Sequence, residues 1–245
     1  RKIKKRTGTT EIILFMIEKY LNKITHGDCL DIMRELPDKC IELILTDPPY
    51  GEKMSRRGTI GSSNKGIVKD YGKSDWDDKI PDPIYFQEMF RISKNQIIFG
   101  GNFMVENINK NSPCWIVWDK QNTGNYADCE LAWTSFGSAI RKYSFVWNGM
   151  IQEDMKNKEI RIHPTQKPVK LMERILRDYY VKDSKGVVLD CFSGSGSVAI
   201  ACYNLGIPFI SVEKNLKHYE DSVKRLQDVQ AQMKLFRGLL RFWKN

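Results

Sequence analysis

No stretch of this 245-residue chain approaches the ~20 consecutive apolar residues that a membrane-spanning helix needs, so no span is expected. Histidine is scarce, three in all, with neither an H-E-x-x-H run nor a Cys/His cluster, and no zinc site is expected. The six cysteines (Cys29, Cys40, Cys114, Cys129, Cys191 and Cys202) form no C-x-x-C pair and are too sparse for a disulfide scaffold. Free thiols in a reducing, cytoplasmic setting are the expectation. No internal repeat is present, which excludes a solenoid. Basic residues precede the apolar run Ile12–Ile17, but that run is short, is bracketed by Glu11 and Glu18 and lacks a small-residue cleavage site, so it is not read as a secretory leader. The chain opens on Arg1 rather than Met, and its natural start is expected upstream.

What is present is enough apolar material for a large core: 41% of residues are hydrophobic and 28% charged. At this length a chain buries roughly 70–75% of its unfolded surface. The net charge of +9 is carried by two ends. Residues 1–6 hold five basic groups and 234–245 hold four, neither with an acid, which leaves 7–233 neutral. Nucleic acid suits such tails, and a solvated charge run is the other reading.

Periodicity predicts strands and helices in alternation, hence a parallel α/β sheet. Strands are expected at Asn22–His26, Ile41–Thr46, Gln96–Phe99, Trp115–Trp118, Glu130–Ser135, Tyr143–Trp147, Val187–Leu189 and Pro208–Val212. Helices are expected at Thr9–Leu21, Leu30–Leu36, Pro83–Ile92, Pro168–Tyr180, Val198–Leu205 and from Leu216 onward. Residues 51–80 show no periodicity, and within 51–73 six basic residues (Lys53, Arg56, Arg57, Lys65, Lys69 and Lys73) face two acids. A loop of that length in a compact chain is functional or disordered. The division expected is a basic tail with an added helix at 1–21, one catalytic domain at 22–233 and a basic tail at 234–245.

Residues 187–213 read as one βαβ unit whose loop, Gly194-Ser195-Gly196-Ser197-Val198-Ala199, fits G-x-G-x-x-A. Glu213 stands where such folds place a carboxylate on a ribose diol. NAD is admissible on spacing alone, and a plain tight turn is the structural alternative. Asp190 argues against a pyrophosphate, because its carboxylate would lie near the phosphates. S-adenosylmethionine gains instead: it carries an ammonium, a sulfonium and a diol, and no phosphate.

Asp47-Pro48-Pro49-Tyr50 follows a strand at the end where open α/β sheets bind ligands. Its chemistry suits making an exocyclic amine nucleophilic. The Asp47 carboxylate and the Pro48 carbonyl can accept the two amine hydrogens and free a lone pair otherwise delocalised into the ring. Prolines 48 and 49 fix φ and offer no competing donor, and Tyr50 offers a face for stacking. An ordinary Asp-Pro turn is the alternative.

Together with Gly27-Asp28-Cys29, Gly100-Gly101-Asn102, His163-Pro164-Thr165-Gln166-Lys167-Pro168 and Asp190–Ser197, the chain resembles the amino-directed DNA methyltransferases over roughly 22–228. Within that family it resembles the permuted group in which the catalytic turn precedes the cofactor loop. The resemblance implies a Rossmann-like methyltransferase sheet, mostly parallel with one antiparallel strand and helices on both faces. It implies catalysis by Asp47, Pro48, Pro49 and Tyr50. Asp28 and Cys29 would hold the cofactor's adenine, and His163, Thr165, Gln166 and Lys167 would lie around its methionine end. Asp190, Phe192, Ser193, Gly194, Gly196 and Ser197 would form the main loop, and Glu213 would hold the ribose. The 51–80 loop would contact double-stranded DNA, and 119–160 would carry target recognition. Adenine N6 is the expected target, because Asp rather than Ser heads the tetrapeptide; cytosine N4 is the alternative. An NAD-dependent oxidoreductase and a non-catalytic nucleic-acid-binding module are more remote alternatives. A homodimer and a cognate restriction endonuclease are admitted as partners.

Overall fold

Ile41–Thr46 is buried at all six positions, the signature of a strand covered on both faces, and it forms β2 at the centre of the sheet. The structure, a computed structural model, describes residues 16–52, 59–60, 69–70, 77–122, 127–148, 151–180 and 186–242, with only the backbone course given at 59–60, 69–70, 148 and 237–242. In chain order the elements are β1 (Lys23–His26), α1 (Cys29–Glu35), β2, β3 (Thr59–Ile60), β4 (Lys69–Asp70), α2 (Pro83–Ile92), β5 (Ser93–Phe99), α3 (Val105–Ile108), β6 (Trp115–Asp119), β7 (Cys129–Thr134) and β8 (Arg141–Ser144). There follow β9 (Trp147–Asn148), β10 (Ile151–Gln152), α4 (Val169–Tyr179), β11 (Val188–Asp190), α5 (Ser197–Leu205), β12 (Phe209–Glu213) and α6 (Leu216–Phe242).

Eight strands form the main sheet in the order β1-β12-β11-β2-β5-β7-β6-β8. Pairing is parallel from β1 through β5 and again between β6 and β8, while β7 runs antiparallel to both its neighbours. The expected mostly parallel sheet with one antiparallel strand is therefore observed. Alternate residues of β2 point to opposite layers. Leu43 and Leu45 pack with Leu171, Ile175 and Ala199 of α4 and α5. Ile44 packs with Met33, Phe86 and Met89 of α1 and α2. Helices thus cover both faces. Among the described residues no helix is long and apolar enough to cross a membrane, and all six cysteines are free.

Local chemistry sets the element ends. Asp28 caps α1, accepting from Leu30 N at 2.9 Å. Pro83 opens α2, and Gly206, in the left-handed region, closes α5. Asn215 Oδ1 accepts from His218 N at 3.1 Å at the start of α6.

Several bounds differ from expectation. β5 begins at Ser93, three residues before the expected start at Gln96, because buried Ser93 pairs with Ile41 and Lys94 bonds Glu42 at 2.7 Å. The expected strand Tyr143–Trp147 is two: β8 pairs with β6, and β9 pairs antiparallel with β10. The 51–80 segment contains the short antiparallel pair β3–β4. α6 runs without a break to Phe242, so the segment expected as a C-terminal tail continues that helix. Of the expected helix at Thr9–Leu21, residues 9–15 lie outside the described set; 16–18 are helical. Ile17 is buried there, and Tyr20 donates to Glu35 at 2.8 Å.

Candidate active site

Strands β2 and β11 are neighbours, yet the chain leaves β2 toward β5 on one side and β11 toward β12 on the other. The crevice beyond their carboxyl ends is where open α/β sheets bind ligands. Because β1, β12, β11, β2 and β5 are parallel, their following loops all gather at this edge. They bring Asp28, Glu213, Asp190, Asp47 and Gly100 to one cleft of about 1910 Å³.

Thr46, the last residue of β2, ties the two central loops together. Its hydroxyl donates to Asp190 Oδ1 at 2.8 Å and accepts from the Cys191 and Phe192 amides, each at 3.2 Å. Phe192 N also donates to Asp190 Oδ1 at 3.2 Å. Among the described residues no donor reaches Asp190 Oδ2. Burial pushes the Asp190 carboxyl up to about 7, against the Thr46 and Phe192 hydrogen bonds. Three positions on, the Ser193 hydroxyl is buried without a hydrogen-bond partner among the described residues.

Glu213 braces the glycine loop. One carboxylate oxygen accepts from Gly194 N and the other from Asn215 N, each at 2.7 Å. Burial raises its pKa, and these amides oppose the rise. Asp28 uses one oxygen for the α1 cap, while the other accepts from Tyr85 OH at 2.9 Å and Lys214 Nζ at 3.0 Å. Cys29 follows at the cleft wall. Gly196 does not line the cleft; a Cβ there would come within 3.1 Å of Ile24 and 3.3 Å of Ser222, so its role is packing the loop under β1 and α6.

The His163–Lys167 segment spends much of its chemistry on itself. Gln166 accepts from Ile162 N at 2.9 Å and donates to the Ile160 carbonyl at 3.2 Å. His163 Nδ1 faces the Thr165 amide and hydroxyl at 3.3 and 3.2 Å, and its ring meets His218 edge-on at 4.3 Å. Burial holds His163 far below the ordinary imidazole range, hence neutral. Ser197 Oγ donates to the Lys167 carbonyl at 2.6 Å, fastening the segment to the glycine loop.

Lys167 reaches across to the Asp47 turn rather than remaining with the residues expected around it. Its Nζ is 2.6 Å from Asp47 Oδ2 and 3.0 Å from Glu130 Oε2. Tyr50 OH donates to Asp47 Oδ1 at 2.6 Å, and Lys120 pairs with Glu130 Oε1 at 2.5 Å. Burial pushes Asp47 up while Lys167 opposes it; for Glu130 the lysines outweigh burial and hold it below the usual carboxylate range. Tyr50 lies directly on Gly100, where a Cβ would sit 2.1 Å from its ring, and Phe103 stacks with it at 5.0 Å and 17°. Pro48 and Pro49 line the cleft between Asp47 and Tyr50.

Sequence reasoning missed Thr46, Glu130, Tyr85, Phe103 and the Arg225–Glu159 pair. Arg225 donates to the Ser195 carbonyl at 2.9 Å and pairs with Glu159 at 2.7 Å, under the glycine loop. Glu130 was legible only as the first residue of an expected strand. Of the residues expected on DNA, Lys53, Arg56, Arg57, Lys65 and Lys73 lie outside the described residues, and for Lys69 only the backbone, in β4, is described. Within 119–160, β7 and β8 are strands of the main sheet, and Trp133 in β7, like Trp118 just before the segment, is buried core.

Residues 138–224 match the family of N6/N4 DNA methylases. The chain is 26% identical over 258 residues to the type II methyltransferase M2.MboI of Moraxella bovis, covering 86% of this chain and 89% of that protein. It is 27% identical over 262 residues to the type II methyltransferase M.HinfI of Haemophilus influenzae, covering 87% and 70%. Its fold is similar to that of the M1.HpyAVI–SAM complex (TM-score 0.51, 23% identity, 83% and 98% covered). It is similar also to the cytosine-N4-specific PvuII DNA methyltransferase (TM-score 0.51, 14% identity, 84% and 90% covered).

Proposed function

The chain belongs to the amino-directed DNA methyltransferases, and from that premise we propose that it methylates the N6 amine of an adenine flipped out of double-stranded DNA, using S-adenosylmethionine. The observation that carries the reading is the Thr46 hydroxyl, which ties the end of β2, just before the Asp47 turn, to Asp190 of the neighbouring loop at the switch point of the sheet.

The residues present fit the cofactor. Asp190 Oδ2 and the unpartnered Ser193 hydroxyl offer a carboxylate and a hydroxyl to an ammonium group. Glu213, at the end of β12, keeps lone pairs for a ribose diol beyond those its two amides use. Asp28 and Cys29 close the far wall for the adenine. When bound, S-adenosylmethionine supplies an electrophilic methyl group on a sulfonium.

This chain's own work is alignment. A base amine is a poor nucleophile because its lone pair is shared with the ring. In this reading Asp47 and the Pro48 carbonyl accept the amine hydrogens, so the nitrogen turns pyramidal and presents its lone pair to the methyl group. A neutral His163 fits such chemistry, since no base is needed before attack. Tyr50, seated on Gly100 and stacked with Phe103, forms the aromatic wall for the flipped base. The permuted motif order, with the Asp47 turn before the glycine loop, belongs to the same proposal.

Adenine is favoured over cytosine by Asp47 at the head of the turn. The fold is shared with a cytosine-N4-specific enzyme, so the overall architecture is neutral on this point. Incubation with methyl-labelled S-adenosylmethionine and mixed-sequence duplex DNA, followed by nucleoside separation, should put the label in N6-methyladenine. Label in N4-methylcytosine alone would overturn the adenine assignment, and no label in DNA would overturn the activity.

A further inference from the structure

Both oxygens of Asp47 are already engaged in this structure. Oδ1 takes the Tyr50 hydroxyl at 2.6 Å and Oδ2 takes the Lys167 ammonium at 2.6 Å. A carboxylate held by an ammonium is a weakened acceptor for an amine hydrogen, because its charge is already compensated. The same ammonium lies 3.0 Å from Glu130, whose other oxygen is held by Lys120. Lys167 is 7% exposed at its side chain, against 22% for Asp47 and 21% for Glu130, so the ammonium lies deeper in the cleft wall than either partner.

We propose that Lys167 is a positioning residue shared by two carboxylates, and that Glu130 draws it off Asp47 Oδ2 when a base amine arrives. The inference rests on the amino-methylation reading and assigns a role to Glu130 and Lys167 within it. With the site empty, Lys167 keeps Asp47 ionised and oriented. With the amine present, a rotation of the flexible lysine stem moves the charge toward Glu130 and leaves Oδ2 to the substrate. The two carboxylates and two lysines sum to zero charge in either arrangement, so the transfer creates no uncompensated ion. The Lys167 carbonyl is meanwhile fixed by Ser197 of the glycine loop at 2.6 Å. One residue therefore links the glycine loop to the carboxylate of the Asp47 turn.

Glu130→Gln, an isosteric change, should leave Lys167 wholly on Asp47. At alkaline pH, where Asp47 stays ionised, kcat should fall by about tenfold to a hundredfold, the strength of one charge-assisted bond. KM for DNA and the calorimetric Kd for S-adenosylmethionine should change by less than about threefold, since neither contact is made by Glu130. Adding Lys167→Met to Glu130→Gln should then raise kcat above that of the single variant, because nothing remains to occupy Oδ2. A kcat for Glu130→Gln equal to wild type, or a double variant no better than it, would overturn the proposal. A second measurement is independent of activity. If the ammonium is shared, urea midpoints of Asp47→Asn and Glu130→Gln should each shift little, and the double variant should shift by more than their sum; simple additivity would overturn the sharing. Wild-type methylation in the same assay reports on the functional reading separately.

Discussion

Glu213→Gln tests the end of β12 most directly. The wild-type carboxylate receives two backbone amides at 2.7 Å, one on each oxygen. Glutamine has one oxygen and one NH2 group, so whichever way it turns, one amide donor meets another donor. The loss is one charge-assisted hydrogen bond, about 1.5–3 kcal/mol, with the abandoned amide adding to it. Against this, the substitution removes a carboxylate that burial already disfavours. A net loss of about 2 kcal/mol is expected, which for a chain of this size lowers Tm by roughly 4–8 °C. Affinity for S-adenosylmethionine should fall by about one to two orders of magnitude, because the diol loses a charged acceptor and the loop loses its brace. Scanning calorimetry of the free protein and titration calorimetry with the cofactor read the two effects separately. A lowered Tm with unchanged affinity would refute the ribose assignment and leave Glu213 as a loop brace. An unchanged Tm would refute the structural reasoning itself.

Gly100→Ala should abolish methyl transfer and lower stability by about 1–3 kcal/mol from backbone strain alone, since Gly100 has φ +65° and a Cβ would meet the Tyr50 ring at 2.1 Å; wild-type kinetics would refute the contact. Arg225→Met should cost up to about 3 kcal/mol in urea unfolding, the low end for a buried pair, by leaving the partly buried Glu159 without its cation. Arg225→Met with Glu159→Gln should recover part of that, and simple additivity would count against the pair. The Asp190 carboxyl, up at about 7 in the folded protein against 3.8 ordinarily, binds more protons folded than unfolded between those values. Its contribution therefore makes stability fall as pH rises from about 4 to about 7, by up to roughly 4 kcal/mol, and level off above. Asp190→Asn should flatten that slope in urea titrations at several pH values; an unaltered slope would refute the assignment.

The central strands and their loops were legible in the sequence because burial on both faces writes itself as a mostly apolar run, as in Ile41–Thr46 with Glu42 the one charge, and because prolines and glycines punctuate where such runs end. The loop residues Asp47, Asp190 and Glu213 could be named for the same reason: each stands at a strand's carboxyl end, and parallel strands bring those ends to one edge. β5 and the β8–β9 division were read less well. Their bounds follow from hydrogen-bonded partners far away in sequence, Ile41 for Ser93 and Ile116 for Arg141. Only the tertiary structure decided who pairs with whom inside the cleft. Lys167 was placed by its motif with the cofactor residues, yet 120 positions separate it from the carboxylate it holds. Glu130 was only the first residue of an expected strand until β7, running antiparallel beside β5, set it 3.0 Å from that same lysine. Local pattern reports how each residue is buried, because burial follows the period of its own element. Charge pairing depends on distances of a few ångströms between elements, and those exist only once the sheet has assembled.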